Sequence, residues 1–335
     1  MERRAFLTDS LGAAAGVVSL PSAASRPEPT GAVGTSDLFE LRQQLHSLYQ
    51  LDDAFGGDEV RSLAQRHLRR IRRVINTTTY PDTIGRQLQL LAGETAEQCG
   101  WLAYDADDQD AARRYWGEAL ATATMLRDAG LEILVLASMA MQANHEGRPR
   151  DGLDLSHAAQ ERAQKYGSPT LQSLIAAREA RALSLLNDKA AATKKLTDAM
   201  RLAERIDRGR PSPTWAAFHG PAELDYAQGT FYSEIGHHSA ASTFLRAALS
   251  HQDRTYGRNR ALYRITLSRS LIQAGEVDEG AAVAVESLQH LDEVESGRVM
   301  RGLREVAGQL GNVSAVSARS ACAELTEYVH AKGAA

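Results

Sequence analysis

The sequence predicts an all-α protein built as an α-solenoid, a single array of stacked helix hairpins. Apolar residues recur three and four positions apart from Leu38 onward, as they do on one face of a helix. No segment alternates apolar and polar residues for long enough to form a sheet strand. A pattern of small residues also returns about every 40 residues, which indicates stacked repeats and not two separate globules. We therefore expect a right-handed superhelix of antiparallel helix pairs.

The first 35 residues differ in character from the rest. Arg3 and Arg4 precede a weakly apolar stretch from Leu11 to Leu20, with Asp9 ahead of it and small residues after it. This segment resembles a twin-arginine export signal. Two interpretations stay open: residues 1–35 are a disordered leader of a cytoplasmic protein, or they direct export.

Helices then begin at recognisable signals. Ser36 and Asp37 are suited to cap a first helix, and Val60 to Ile75 forms a second that ends before Pro81. We expect residues 36–80 and 299–330 to cap the two ends of a repeat domain at 36–332, because the terminal faces of a solenoid need polar cover.

The repeat consists of two small residues twelve positions apart, with a polar turn between them. Five pairs follow this rule: Gly100 and Ala112, Ala140 and Gly152, Ala180 and Ala192, Gly229 and Ala241, Ser268 and Gly280. Their second members are spaced 40, 40, 49 and 39 residues apart, and the helix-breaking segment 208–213 accounts for the long interval. Small side chains let two helices approach closely. The predicted hairpins are 90–128, 130–166, 170–207, 220–253 and 259–293.

The fourth unit carries the marks of a known repeat. Tyr226, Gly229 and Tyr232 on its first helix, with Ala241 and Ala248 on its second, resemble a tetratricopeptide (TPR) repeat. The period near 40 departs from the usual 34, so the resemblance implies a TPR-like array and not a strict TPR domain.

A narrower resemblance rests on segments 51–57 (LDDAFGG), 100–105 (GWLAYD) with 111–120 (AARRYWGEAL), and 215–218 (WAAF) with 221–224 (PAEL). These look like the C-terminal repeat domain of actinobacterial transcriptional regulators, in which an Xre-type helix-turn-helix domain precedes the repeats. The resemblance implies the sensor or interaction half alone. It implies a protein or peptide partner, with a helix-turn-helix regulator as one candidate, and no direct sequence-specific DNA binding.

Signatures of catalysis and cofactor binding are missing from the sequence. It contains no GxGxxG, GxxxxGK[ST], HExxH, CxxC or GxSxG motif, and its two cysteines lie far apart. The net charge of −4 gives no general attraction to nucleic acid, and no apolar run is long enough to span a membrane. The one basic run, 66–73, fits a solvated helix face better than a nucleic-acid site. We therefore expect a non-enzymatic module with no cofactor and no metal.

The sequence also allows a specific hypothesis about which residues line a ligand-binding groove. If the first helix of each hairpin lines the concave side, residues three before, one after and four after its small residue should face a ligand. The rule selects Glu97, Trp101, Tyr104, Met141, Asn144, Arg181, Ser184, Tyr226, Thr230, Ser233 and Arg269. Aromatic, amide, hydroxyl and guanidinium groups together suit a peptide. The alternative is that half of them pack between adjacent hairpins. We expect a regulatory, peptide-binding or protein-binding module, or an exported scaffold protein of the cell envelope if the leader is functional.

Overall fold

The computed structural model describes residues 31–55, 57–205, 210–252, 257–291 and 296–333. Across these ranges the chain forms fourteen α-helices and two short 3₁₀ turns, and no strand beyond one isolated bridge between Ala32 and Thr79. The predicted all-α fold is confirmed. The segment with Arg3 and Arg4 lies outside the described residues, so its role stays a prediction.

The helices of the first half are α1 (Thr35–Ala54), α2 (Gly57–Thr77), α3 (Asp82–Asp105), α4 (Gln109–Leu126), α5 (Ala129–His145), α6 (Pro149–Tyr166), α7 (Pro169–Leu185) and α8 (Lys189–Ala203). Those of the second half are α9 (Pro221–Glu234), α10 (His238–His251), α11 (Gly257–Ala274), α12 (Val277–Glu286), α13 (Gly297–Gly311) and α14 (Val316–Gly333). They pack in consecutive pairs: α3 with α4, α5 with α6, α7 with α8, α9 with α10, α11 with α12 and α13 with α14.

The same tight turn joins the two helices in five of these pairs. One residue of each turn has a left-handed backbone: Asp107 (φ 67°), Gly147 (72°), Asn187 (63°), Gly236 (83°) and Gly275 (88°). The N–H of the next residue donates to the carbonyl five positions back, as from Asp108 to Ala103 at 2.9 Å. Glycine, asparagine and aspartate tolerate this conformation best, and the hydrogen bond satisfies a carbonyl that the helix end leaves open. One local device thus repeats along the array.

Small residues set the distance between the paired helices. A Cβ atom added at Gly100 would lie 2.6 Å from the buried ring of Trp116, and one added at Gly229 would lie 2.5 Å from Leu245. The serine of the fifth pair, Ser268, donates to the carbonyl of Gly280 at 2.7 Å. Larger side chains at these places would force the helices apart.

An insertion explains the one long interval between repeats. After α8 the chain folds back over the turn between α6 and α7, where the N–H of Arg210 donates to the carbonyl of Gly167 at 3.0 Å. The Arg210 guanidinium also lies 4.0 Å from the centre of the Tyr166 ring. A 3₁₀ turn at Thr214–Phe218 follows, and His219 is buried against Ser173 before α9 begins.

The array has an inner and an outer layer. First helices of successive pairs contact each other, from α3 to α5, α7, α9, α11 and α13, and this contact defines the inner layer. The two largest groups of buried apolar side chains lie at the ends, around Leu68 and Leu88 near the N-terminus and around Leu303 and Leu310 near the C-terminus. Among the helices described, none is both long and apolar enough to cross a membrane.

Candidate functional site

The eleven residues selected from the sequence all lie on inner helices. Glu97, Trp101 and Tyr104 are on α3, Met141 and Asn144 on α5, Arg181 and Ser184 on α7, Tyr226, Thr230 and Ser233 on α9, and Arg269 on α11. With 3.6 residues per turn, positions three before and four after the small residue lie near each other, and the position one after it lies further round the helix.

The eleven side chains therefore form two rows. We name the first the packing row; it contains Glu97, Tyr104, Asn144, Ser184, Tyr226 and Ser233. We name the second the central row; it contains Trp101, Met141, Arg181, Thr230 and Arg269. The rows differ in their surroundings: the first contains buried side chains that contact the next inner helix, and the arginines of the second form more exposed ion pairs.

The packing row is largely occupied by contacts between hairpins. Glu97 is 5% exposed and accepts from the Ser138 hydroxyl of α5 at 3.0 Å. Burial raises the pKa of Glu97 to about 7, against the opposing effect of its hydrogen bonds. Asn144 is buried too, and its Nδ2 donates to the carbonyl of Arg178 on α7 at 3.5 Å. These two side chains join one hairpin to the next.

The same holds on α9. The Tyr226 ring stacks on the Tyr263 ring of α11 with 4.4 Å between their centres, and its hydroxyl lies 3.2 Å from that of Thr266. Ser233 accepts from the Ser270 hydroxyl at 3.0 Å. The alternative that the sequence left open, packing between hairpins, describes these residues.

The arginines of the central row are more accessible, with side chains 40% and 46% exposed. Arg181 forms an ion pair with Glu234 at 2.7 Å, and Arg269 forms one with Glu305 at 2.9 Å. The Thr230 hydroxyl oxygen is buried and has no hydrogen-bond partner among the described residues. Two exchangeable ion pairs and an unpartnered hydroxyl thus share one line along the inner layer.

Trp101 marks the N-terminal end of the central row, where the array closes on itself. Its indole N–H donates to Oδ2 of Asp52 at 2.8 Å, and Oδ1 of Asp52 accepts from Arg258 of α11 at 2.6 Å. Asp105 at the end of α3 accepts from Arg298 of α13 at 2.6 Å and lies 3.4 Å from Arg258. We name this group, Asp52, Trp101, Asp105, Arg258 and Arg298, the closure cluster.

The closure cluster is a buried charge network. Burial alone would raise the pKa of Asp105, but Arg258 and Arg298 outweigh that effect and lower it. Next to it, Asp107 accepts from Arg301 at 3.0 Å, and a Cβ atom added at Gly297 would lie 2.4 Å from the carbonyl oxygen of Ala106. Helices more than 190 residues apart in sequence are therefore in direct contact.

Comparison with known proteins identifies the fold of this chain. The sequence matches no family model and no curated protein. A Rap protein solved in complex with Competence and Sporulation Factor is similar in structure, with a TM-score of 0.55 and 13% identity over 88% of each chain. BtubC from P. vanneervenii gives a TM-score of 0.46 and 17% identity over 75% of this chain and 90% of that one. The chain has a TPR-like α-solenoid fold.

Several residues of the inner layer were not selected by the groove rule that we applied to the sequence. Arg178, Glu223, Tyr263, Arg258 and Arg298 all lie on inner helices, at positions that the rule does not select. A signal for Arg178 was present, because it lies three residues before Arg181 and so shares its helix face. No local signal existed for Arg298, whose partners lie far away in sequence.

The TPR-like inner layer carries polar, charged and aromatic side chains. Hydroxyl, guanidinium and carboxylate groups alternate with aromatic rings along it, which suits hydrogen bonding to an extended backbone. In the described part of the chain no group of three His, Cys, Asp or Glu side chains is placed to hold a metal ion. The basic run on α2 is partly engaged, since Arg70 donates to Gln44 at 3.1 Å and Arg72 pairs with Glu118.

Proposed function

We propose that the inner layer binds a peptide, or an extended segment of a protein partner, and that the protein is a regulatory binding module without catalytic activity. The central row carries this proposal. The Thr230 hydroxyl is buried without a partner of its own, and the exposed side chains of Arg181 and Arg269 hold partners that a ligand can exchange. A line of such groups can satisfy the N–H and C=O groups of an extended chain.

The Rap comparison supports a bound partner. That protein, which shares the fold at 13% identity, is solved in complex with Competence and Sporulation Factor. We infer by analogy that the concave layer of this chain also accommodates a partner.

The resemblance of segments 100–105 and 215–218 to Xre-type regulators supports a role linked to transcription. A helix-turn-helix regulator is then the proposed protein partner, acting in the cytoplasm, with no direct DNA contact by this chain. The closure cluster connects the N-terminal and C-terminal parts of the array. Binding of a ligand in the inner layer should therefore change the structure at both ends.

The test uses pooled synthetic heptapeptides of random sequence, incubated with the full chain and recovered with it for mass spectrometry. We expect a subset to bind and to raise the melting temperature. Thr230→Val removes the unpartnered hydroxyl at constant shape, so it should keep or raise stability while weakening binding of that subset several-fold.

Thr243→Val is the matched control, because the hydroxyl of Thr243 lies on the outer helix α10 and donates to the carbonyl of Ser239. It should leave peptide binding unchanged. Equal binding by Thr230→Val and wild type would contradict the central row as the ligand surface, and a complete absence of bound peptide would contradict the proposed function.

A second candidate, an exported scaffold protein, is favoured only by Arg3 and Arg4 ahead of the apolar stretch. Mass spectrometry of the native N-terminus decides between them. Processing near Ala24 supports export, and an intact N-terminus in the cytosolic fraction opposes it.

A further inference from the structure

Arg178 is a cation on the inner layer that lacks a counter-ion. It lies on α7, partly accessible, and its Nε atom is buried with no hydrogen-bond partner in the described ranges. Its guanidinium forms no ion pair with any residue the structure describes, whereas Arg181 on the same helix pairs with Glu234 and Arg298 pairs with Asp105. A guanidinium held without an anion differs from its neighbours and calls for an explanation.

The charges around Arg178 are mixed in sign. Burial lowers the pKa of Arg178, the carboxylate of Glu223 opposes this effect, and the guanidinium groups of Arg298 and Arg181 add to it. These charges come from α9, α13 and α7, so several inner helices act on Arg178. Arg181 and Arg298 have acids of their own in direct contact, and Arg178 does not.

The most influential acid, Glu223, is already engaged. Its Oε1 atom accepts from the Tyr263 hydroxyl at 2.5 Å, and it forms no ion pair within the described part of the chain. Tyr263 itself is held by stacking on Tyr226. The Tyr263 hydroxyl therefore holds this carboxylate in place, and the guanidinium of Arg178 has no acid in direct contact among the described residues.

We propose that Arg178 binds a carboxylate of the peptide ligand, either an Asp or Glu side chain or the C-terminal group, and thereby selects peptides that carry that group. This inference rests on the proposed function. A guanidinium presents paired donors that match a carboxylate in two parallel hydrogen bonds. Arg181 lies one turn further along α7, which places a second guanidinium near the same ligand group.

The experiment compares two heptapeptide pools, one with free C-terminal carboxylates and one with C-terminal amides, against four forms of the full chain. These forms are the wild type, Arg178→Gln, Arg178→Lys and the control Arg114→Gln, which changes an exposed arginine on the outer helix α4. Melting temperatures are measured in parallel. Arg178→Gln should fold and melt at or above the wild-type temperature, because it removes a desolvated charge that has no partner.

We expect the peptides recovered with wild type and with Arg114→Gln to be enriched in Asp and Glu, or to come only from the free-carboxylate pool. The first result assigns the ligand group to a side chain and the second assigns it to the C-terminus. Arg178→Gln should weaken binding of a selected peptide by roughly tenfold to a hundredfold, as expected for a lost hydrogen bond to a charged group. Arg178→Lys keeps the charge but loses the paired geometry, so its affinity should fall between the two.

Two results would overturn this inference alone: bound peptides without any carboxylate preference, or the same preference retained by Arg178→Gln. If wild type recovers no peptide from either pool, the proposed function falls and the Arg178 site falls with it.

Discussion

Ion pairs occur in two contrasting regions of this molecule. In the closure cluster, Asp105 is 2% exposed and the Arg258 side chain is 7% exposed. In the central row, the side chains of Arg181 and Arg269 are 40% and 46% exposed. The same residue types thus form buried ion pairs where the ends of the array are in contact and solvent-exposed ion pairs along its inner layer.

The difference separates a structural role of the closure cluster from the binding role that we propose for the central row. Two desolvated charges are costly to separate, because removal of one leaves the other buried and unpaired. An exposed pair contributes little, since water replaces either partner at small cost. The closure cluster therefore stabilises the contact between helices far apart in sequence, and in the proposed function the central row offers charges that a ligand can take over.

The largest expected effect is at Asp105. Asp105→Asn leaves Arg258 and Arg298 without their shared acid and should lower the free energy of unfolding by about 3–5 kcal/mol at pH 7, measured in urea. The lowered pKa means that this stabilisation is present above the ordinary pKa of 3.8 and is lost as the pH falls through the folded-state value. Glu305→Gln, in an exposed pair, is the control, and an equal loss in both variants would remove the distinction between the regions.

A second effect concerns the packing row and depends on pH. The folded-state pKa of Glu97 is about 7, above its ordinary 4.5, so the wild type should lose up to roughly 3 kcal/mol of stability as the pH rises from 4.5 to 7. Glu97→Gln has no such titration and keeps a hydrogen-bond partner for Ser138. Its stability relative to wild type should rise between pH 5 and pH 8 in urea unfolding, and a constant difference would contradict burial of this carboxyl.

The smallest effect on stability is at Arg181. Arg181→Gln should cost less than about 1 kcal/mol, because the pair with Glu234 is half-exposed, but it should weaken peptide binding several-fold. Arg113→Gln is a close match, since Arg113 is 43% exposed and pairs with Glu146 at 2.8 Å from the outer helix α4. Calorimetry with a selected peptide separates the two, and equal affinities would show that position in the array does not matter.

The sequence predicted the fold more completely than it predicted the site. The small-residue pairs, such as Gly229 and Ala241, lie where two helices of one hairpin pack closely. The positions of the hairpins could therefore be predicted from local sequence. The groove rule selected residues on inner helices but treated Tyr226 and Thr230 alike, although the Tyr226 ring stacks on Tyr263 of α11 and the Thr230 hydroxyl is buried without a partner. The position of a residue on a helix face does not show which neighbouring helix its side chain will contact.

The closure cluster could not be found in this way. Asp52 and Arg258 are separated by 206 residues, and their meeting depends on the accumulated rotation of every hairpin between them. A change of a few degrees per repeat would place them apart. Contacts of this kind follow from the whole superhelix and not from any local pattern.

Hydrogen–deuterium exchange of the full chain, with and without a selected heptapeptide, tests the central claim most directly. We predict slower exchange on addition of peptide in the inner helices α3, α7, α9 and α11, with α4, α6, α8 and α10 unchanged. Protection confined to the outer helices, or absent throughout while the peptide remains bound, would contradict the assignment of the inner layer as the binding surface.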